Sequence, residues 1–445
     1  MRLRRLLKYI NMASTTHILL VGSGGREHTI AWKLSQSSKV GKIWVCPGNG
    51  GTASLPKTTN IANVDASDFS ALVKFAVDND VTLLIPGPEQ PLVDGIVDVF
   101  REKAPKIKCF GPSKKAAQME GSKTFSKNFM KRNNIPTAAY SNFSSYESAK
   151  EYLDSISHSV VIKASGLAAG KGVVIPTSKD EAHTALREIM LSKQFGSAGD
   201  EVVIEEFLEG DEISILSLCD GETIKSLPPA QDHKRIFDND KGPNTGGMGT
   251  YAPAPERICS AEMFAEIEKT VLRPTVEGMR KEGMPFVGCL FTGFMMTKNG
   301  PRVLEYNVRF GDPETQSLLP LMENDLFEVM LACTEGQLKE IDLRVRNASA
   351  ATVVVASAGY PDAYQKGTPM QLDSTPPEVV LFHAGTTLDE KESPPVLRTS
   401  GGRVIASTAT ATKLEDAIKK AYEGVNCIHF EGMQYRKDIG ARALR

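Results

Sequence analysis

The stretch Val303-Leu304-Glu305-Tyr306-Asn307-Val308-Arg309-Phe310 constrains the fold more than any other part of the chain. Leu304, Tyr306, Val308 and Phe310 alternate with Glu305, Asn307 and Arg309, the period of two that marks a strand with two distinct faces. The apolar face is β-prone and predicts burial. The other face sets an acid, an amide and a cation on one side, successive members about 7 Å apart. A carboxylate beside an amide oxygen is a hard-oxygen pair suited to Mg²⁺, which binds through one or two protein oxygens plus substrate phosphates. An arginine two residues further on suits the charge of a phosphoryl or acyl group. A solvated strand face carries polar residues too, and alternation alone leaves both readings open. Three unlike polar types, and a turn of Gly311-Asp312-Pro313-Glu314 at the strand end, count on the side of chemistry.

The chain begins with strand–turn–helix units. His17–Val21 runs into Gly22-Ser23-Gly24-Gly25-Arg26-Glu27-His28, and Thr29–Leu34 has a helical pattern. That layout presents backbone N–H groups to a phosphate, which makes Gly22, Gly24, Gly25 and Arg26 candidate substrate-binding residues. Glu27 stands where a dinucleotide turn has its last glycine, and the next strand ends at Cys46 with no acid for a ribose hydroxyl. A nicotinamide oxidoreductase is thereby disfavoured and a small phosphorylated substrate favoured. Two further units stop at Pro86-Gly87-Pro88-Glu89 and at Gly111-Pro112-Ser113, turns of the kind where open α/β sheets bind ligands. Glu89 is a candidate for a sugar hydroxyl and equally for a helix N-terminal acid that favours the dipole.

Past Ile135-Pro136, which predicts a boundary, two β-branched runs flank Lys163-Ala-Ser165-Gly166-Leu-Ala-Ala-Gly170-Lys171-Gly172. This is not a Walker A loop: Ser165 replaces its first glycine, Gly172 follows the lysine, and a strand follows instead of a helix. It predicts a hairpin able to close backbone amides over phosphates. The polar run Gln231–Gly249 contains Asp232, His233, Lys234 and Arg235 among its glycines. It predicts a long structureless loop that handles substrate, with Asp232 as a candidate.

Bulk properties narrow the class. The 445 residues suggest two to four domains. A formal net charge of −2, from 52 Lys+Arg and 54 Asp+Glu, supplies no basic field for nucleic acid. The seven scattered cysteines show no CxxC spacing, which predicts neither zinc nor a disulfide framework. No apolar run is long enough for a membrane span. Residues 1–11 are basic with an apolar helical face, a pattern compatible with organelle targeting. Met12-Ala13-Ser14 reads as a start, and the expectation is a cytoplasmic protein.

Taken in order, GGREH (24–28), PGNGGT (47–52), GPEQPLV (87–93), GLAAGKGV (166–173), QDHKR (231–235), GPNTGGMG (242–249), EYNVRFGDPETQ (305–316), HAGT (383–386) and YRKDIG (435–440) resemble the ATP-grasp carboxylate–amine ligases. Within them the chain is most similar to the glycinamide ribonucleotide synthetase (phosphoribosylamine–glycine ligase) family, from about His17 to Arg445. The resemblance implies an α/β protein with α+β elements. Its parts are an extension at 1–16, a Rossmann-like pre-ATP-grasp domain at 17–118, an ATP-grasp domain at 119–344 with a flap at about 137–207, and a small C-terminal domain at 345–445.

It also implies ligation of glycine to 5-phosphoribosylamine through glycyl phosphate, with ATP as co-substrate and Mg²⁺ or Mn²⁺ as cofactor, in purine biosynthesis. Lys123 and Lys163 fall on the lysines that hold ATP phosphates, and Ser165, Gly166, Gly170, Lys171 and Gly172 on the mobile loop. Glu205, Glu206, Phe207 and Leu208 fall on the linker whose backbone reads adenine, and Glu212 on the acid for the ATP ribose. Glu305 and Asn307 match the metal ligands, and Arg309 the arginine at the phosphoryl-transfer centre. Phosphoribosylamine is expected between the first domain and the central cleft, near the Gly22–Arg26 turn and Glu89, with the His383–Thr386 and Ser400–Arg403 turns completing the pocket. Two positions depart from the pattern. The strand Cys289–Met296 lacks the third metal acid of many relatives, and Ser165 replaces a frequent Asp. Expected partners are small molecules, with neither nucleic acid nor membrane. The chain is expected to be a monomer or to be fused to another purine-pathway domain. Rival readings are another ATP-grasp ligase, using a different acid or a carboxyphosphate, and a catalytically silent nucleotide-binding regulator.

Overall fold

The computed structural model describes residues 16–168 and 172–445. The expected extension up to residue 15, and the loop candidates Gly170 and Lys171, lie outside the described residues. Strand and helix alternate at the start: β1 (Thr16–Gly22), α1 (Gly25–Ser35), β2 (Val40–Pro47), β3 (Thr58–Asn60), α2 (Phe69–Asp78), β4 (Val81–Pro86), α3 (Glu89–Asp94), α4 (Ile96–Lys103), β5 (Lys108–Cys109) and α5 (Lys114–Gly121). The strands form one parallel sheet in the order β3-β2-β1-β4-β5. Ile18 to Val21 and Leu83 to Ile85 are almost wholly buried, as a parallel sheet covered on both faces requires. The strand order reverses between β1 and β4, and the Gly87 N–H donates to the Val21 carbonyl at 2.8 Å. Both glycine turns therefore open at one switch-point crevice.

Ser122 caps α6 (Lys123–Arg132), its hydroxyl accepting the Phe125 N–H. There follow β6 (Tyr140–Phe143), α7 (Tyr146–Ser155), β7 (Val160–Ala164), β8 (Val173–Val174), α8 (Lys179–Met190) and β9 (Val202–Glu206). They build an antiparallel sheet in the order β6-β9-β7-β8 over its own apolar cluster, which includes Leu153, Ile162 and Leu186. The expected hairpin around residues 164–172 is β7–β8, with Lys163 opposite Val173.

Next come β10 (Asp211–Asp220), β11 (Ile224–Ser226), β12 (Gln231–Asp232), β13 (Arg235–Phe237), β14 (Lys241–Asn244), β15 (Gly249–Ala252), α9 (Ala261–Ile267), α10 (Arg273–Lys281), β16 (Val287–Thr297) and β17 (Gly300–Asn307). A second antiparallel sheet has the order β11-β10-β16-β17. The alternation expected along residues 304–310 is interrupted here. Gly293 faces Glu305 while Phe294 faces Val303, so Leu304 is an extra residue on β17, a β-bulge. Val303 and Tyr306 are buried whereas Leu304 is only partly so, and the strand ends at Asn307 rather than Phe310. Val308 and Phe310 are still buried, beyond the ladder.

The last part contains α11 (Glu314–Leu321), α12 (Leu326–Glu335), β18 (Ser349–Ser357), β19 (Gln371–Leu372), β20 (Val379–His383), β21 (Thr386–Asp389), β22 (Val396–Thr399), β23 (Arg403–Ala411), α13 (Leu414–Val425), β24 (Ile428–His429) and β25 (Met433–Gln434). Its sheet runs β12-β15-β18-β23-β20, with β25 also on β18. The expectation of a structureless loop over 231–249 is thus corrected. The segment supplies β12 to this distant sheet and leads into β15, and folds β13 and β14 into a hairpin. The strand that anchors β15 to the sheet, β18, lies about a hundred residues downstream, so local pattern could not reveal that pairing.

The first and last parts meet through the PGNGGT and HAGT turns. Asn49 Nδ2 donates to the carbonyls of Ser23 and His383, each at 2.9 Å, and the His383 N–H donates to His28 Nδ1 at 2.7 Å. Burial holds the His28 imidazole well below its usual range and His383 down to about 4, so both are neutral packing groups. A Cβ on Gly51 would fall 2.3 Å from the His28 ring and 2.6 Å from the His383 ring. Gly51→Ala should therefore destabilise the protein by about 1–3 kcal/mol. Urea unfolding should show this as a lower midpoint at unchanged slope.

Candidate active site

Arg309 sits where the three parts converge. Its Nη2 donates to Glu120 Oε1 at 2.9 Å and to Asn307 Oδ1 at 2.8 Å, and its Nε to Glu89 Oε2 at 3.2 Å. Burial alone would weaken the guanidinium; Glu120 and Glu89 outweigh it and raise its pKa, so the cation is permanent. Glu89 is the first residue of α3, which meets the helix-acid expectation, while its carboxylate is occupied by Arg309. Burial would raise Glu89, yet Arg309 and Arg26 hold it below its ordinary value. Glu120 also accepts the Val308 N–H at 2.7 Å. Burial pushes Glu120 up to about 7, against the pull of Arg309 and with the push of Glu89.

The bulge at Leu304 has a direct use. The Leu304 carbonyl accepts Lys163 Nζ at 3.1 Å, and the same ammonium lies 2.9 Å from Glu205 Oε1. Lys127 Nζ holds the other carboxylate oxygen of Glu205 at 2.8 Å. Burial acts to raise Glu205, and Lys163 and Lys127 overcome it and hold the carboxylate below its ordinary range. Lys123 stands one helical turn before Lys127, its Nζ donating to the Gly166 carbonyl at 3.3 Å. Burial and Lys163 lower Lys123, with Glu305 opposing. Lys123 and Lys163 thus stand below the β7–β8 hairpin, Lys123 within the field of Glu305, while Lys127 is buried behind Glu205. Ser165 spends its hydroxyl on the start of α6, accepting the Thr124 N–H at 3.2 Å. A Cβ on Gly166 or Gly172 would lie 2.7 Å from Ala198 or Ala168, so this loop packs closely at both ends.

The backbone of Glu205 is registered against Tyr140 on one side and Val161 on the other. Its expected role in reading adenine through the backbone is corrected: the ladder occupies it, and its side chain does the work described above. Glu206, Phe207 and Leu208 follow at the sheet's end, with Phe207 40% exposed. Glu212 receives Lys234 Nζ at 2.8 Å, and Lys234 lowers its pKa. Asp232 and Glu314 are buried near each other. Burial lifts Glu314 up to about 7, with Asp232 adding to the rise. Burial also raises Asp232, with Glu212 adding and Lys234 opposing.

The glycine turn is braced from inside by Glu27. Glu27 Oε2 accepts the Gly24 N–H at 2.6 Å, and Arg26 Nε donates to Glu27 Oε1 at 2.6 Å. A Cβ at Gly22 would fall 2.5 Å from the Glu27 side chain, one at Gly25 2.6 Å from Gln316. Gly24 therefore offers no free amide, and a carboxylate already fills the turn from inside. Arg26 is turned inward too, Nη1 donating to the Phe310 carbonyl at 3.1 Å. These contacts link the turn to residues 310–316.

Glu305 and Asn307 project from neighbouring same-side positions of β17 into this floor. Among the described residues no third His, Cys, Asp or Glu completes a metal cluster, and Glu305 faces Gly293 across the ladder. A carboxylate and an amide oxygen, both partly exposed, nonetheless fit a hard divalent cation that takes its remaining ligands from phosphate and water.

Glu120, Lys127, Lys234, Asp312 and Glu314 were not singled out by sequence reasoning. Lys127 carried a signal, standing at i+4 from Lys123 on a helix. Asp312 and Glu314 lay within a noted turn. Asp312 pairs with Arg403 Nη2 at 3.1 Å, and Arg403 Nη1 donates to the Asp312 carbonyl at 2.8 Å. The Ser400–Arg403 turn thereby reaches the site, as does His383–Thr386 through Asn49.

Residues 16–120, 121–315 and 350–442 match the N, ATP-grasp (A) and C domains of phosphoribosylglycinamide synthetase. A bifunctional purine biosynthetic protein of Schizosaccharomyces pombe is 56% identical over 96% of this chain and 53% of its own length. A phosphoribosylamine–glycine ligase of Chlorobaculum tepidum is 48% identical over 96% of this chain and 100% of its own. The chain spans about half the length of the bifunctional relatives it matches. Among solved structures, a phosphoribosylamine–glycine ligase of Thermotoga maritima superposes with a TM-score of 0.81 at 34% identity, covering 95% of this chain and 100% of the other. The biotin carboxylase domain of a Hydrogenobacter thermophilus 2-oxoglutarate carboxylase superposes at 0.72 with 16% identity, over 94% and 91% of the two chains, a likeness of fold alone. The architecture is an ATP-grasp fold between an N domain and a C domain.

Proposed function

The chain belongs to the phosphoribosylglycinamide synthetase family, and from that premise we propose that it joins glycine to 5-phosphoribosylamine at the cost of ATP, giving glycinamide ribonucleotide, ADP and phosphate. The observation that carries the reading is the convergence of Arg309, Glu305 and Asn307 with Lys123 and Lys163 under the β7–β8 hairpin.

An amine does not attack a carboxylate, because the acyl carbon is electron-rich and oxide is no leaving group. Phosphorylating glycine solves both problems, and the phosphoribosylamine nitrogen then displaces phosphate. The glycine carboxylate and the ATP γ-phosphate are both anions, and the repulsion between them must be neutralised first. In this reading Lys123 and Lys163 hold the ATP phosphates, while Arg309 meets the transferring phosphoryl group. Glu305 and Asn307 would hold Mg²⁺ or Mn²⁺, which supplies charge neutralisation across the phosphates. Glu206–Leu208 would receive the adenine and Glu212 its ribose. Asp232, buried beside Glu314, would help seat the glycine. Phosphoribosylamine would lie in the switch-point crevice, near Gly22, Gly25, Arg26 and Glu89 and beside the two C-terminal turns. The loop from Ser165 to Gly172, with Gly166, Gly170 and Lys171, would close over the triphosphate and keep water from the acyl phosphate.

The test is phosphate release from ATP with Mg²⁺, adding glycine and freshly generated phosphoribosylamine separately and together. Release only with both, with a new amide product, is expected, and chelation should abolish it until Mg²⁺ or Mn²⁺ is restored. Release with another acid or amine would change the substrates. Binding of ATP without any release would turn the reading to a regulator. No helix among the described residues is long and apolar enough to cross a membrane, and the proposed compartment is the cytoplasm. The proposed state is a monomer, or one part of a fused purine-pathway protein.

A further inference from the structure

Arg436, in the otherwise unassigned Tyr435–Gly440 motif, is the largest fully buried side chain among the described residues. Its Nε and Nη2 form a two-pronged pair with Asp438 at 2.8 and 2.7 Å. Its Nη1 reaches across to Asp240 Oδ1 at 2.7 Å and to the Arg235 carbonyl at 3.1 Å. Both acceptors belong to the β13–β14 hairpin. The backbones answer reciprocally: the Lys437 N–H donates to Asp238 at 2.8 Å, and the Asn239 N–H to Asp438 at 2.9 Å. Asn239 and Asp240 hold φ of 59° and 52°, a left-handed pair of the kind that closes tight hairpins, and Asn and Asp are the side chains that adopt it most readily after glycine. The C-terminal segment therefore fastens the hairpin and its tip through four hydrogen bonds.

Just upstream of that tip lie the groups assigned to substrates. Arg442 donates to the Asp232 carbonyl, and the Gly440 N–H donates to His233 Nε2 at 3.3 Å. The Lys234 carbonyl is pinned by the Thr245 N–H at 2.7 Å, while Lys234 Nζ holds Glu212. Arg403 and Tyr360 fix Gly246 at the far end.

We propose that Arg436 is a positioning residue for the nucleotide site: its clamp on Arg235–Asn244 sets where Lys234 stands, and through Lys234 the orientation of Glu212. This rests on the reading of Glu212 as the acid for the nucleotide ribose. A guanidinium suits the task because four of its donors engage in fixed directions, which a lysine cannot reproduce.

The experiment compares the full chain with Arg436→Ala and Arg436→Lys by MgADP calorimetry, hydrogen exchange and steady-state kinetics. Both variants should weaken MgADP binding by on the order of tenfold, within the loss that small misplacements produce. KM for ATP should rise with it while kcat moves less. Amides of residues 235–247 should exchange faster, with those of the parallel sheet unchanged. If Arg436→Ala does not fold, Asp240→Asn removes one anionic partner at the half-exposed tip and should give the same pattern in smaller degree. Loosened amides with MgADP affinity within about twofold of the parent would overturn the proposal. So would weakened binding with no change in exchange. A parent that binds MgADP but makes no glycinamide ribonucleotide would refute the reaction, and the affinity ratio would still decide the role of Arg436.

Discussion

Arg309→Ala should lower turnover by on the order of 10²–10³, the usual consequence of removing a preorganised donor from a developing charge. Steady-state phosphate release checks this, and unchanged turnover would remove Arg309 from the mechanism. The structure adds a second expectation. Arg309 is the common cation of Glu89 and Glu120, so its loss leaves two largely buried acids facing each other. Glu120, at about 7 in the parent, loses its main downward pull and rises further. A carboxyl whose folded value exceeds its unfolded value of 4.5 contributes most when protonated, and stability falls as pH climbs toward the folded value. In the parent that fall ends near pH 7; in the variant it continues. The stability gap between them should therefore widen above pH 7, as urea titrations at pH 6 and 8 would reveal.

Glu205→Ala should destabilise the protein by about 3–5 kcal/mol, the cost of stranding buried charge. Lys127 and Lys163 approach Glu205 at 2.8 and 2.9 Å with all three side chains almost fully buried. Removing the acid leaves adjacent ammonium groups in a space water scarcely enters. The denaturation midpoint measures the effect. A loss below about 1 kcal/mol, the range of exposed pairs, would mean the groups relax into solvent. ATP at saturating concentration should recover part of the loss if phosphates replace the missing charge, because a ligand that binds only the folded state stabilises it.

How much of this was legible beforehand follows from the range of each interaction. The βα units of the first part were readable because a parallel sheet writes continuous apolar runs ended by Gly and Pro. Lys163, Glu305, Asn307 and Arg309 were readable because one hairpin, and one strand with the residues just past its end, carry them at short spacing. The bulge at Leu304 was not, since a bulge is decided by the partner strand. Nor was the pairing of β15 with β18, whose residues look like loop until their partners are placed. Glu27 shows another limit: the glycine pattern around it gives no hint of where its side chain goes, and only the packed structure reveals the carboxylate on the Gly24 amide. Arg436 was visible merely as part of a motif, because its worth depends on Asp240, nearly two hundred positions earlier.

The shared sheet sets a timetable for synthesis. Gly249–Ala252 is registered on Val353–Ala350, and Gln231–Asp232 joins the sheet through Tyr251 and Thr250. While the ribosome has released the middle of the chain but not β18, that edge has no partner, and an unpaired edge invites association with other chains. Asp232, assigned to glycine, is therefore translated early and locked late. Release of the nascent chain up to about residue 357 completes the edge, and residues 436–442 must emerge before its hairpin is fastened.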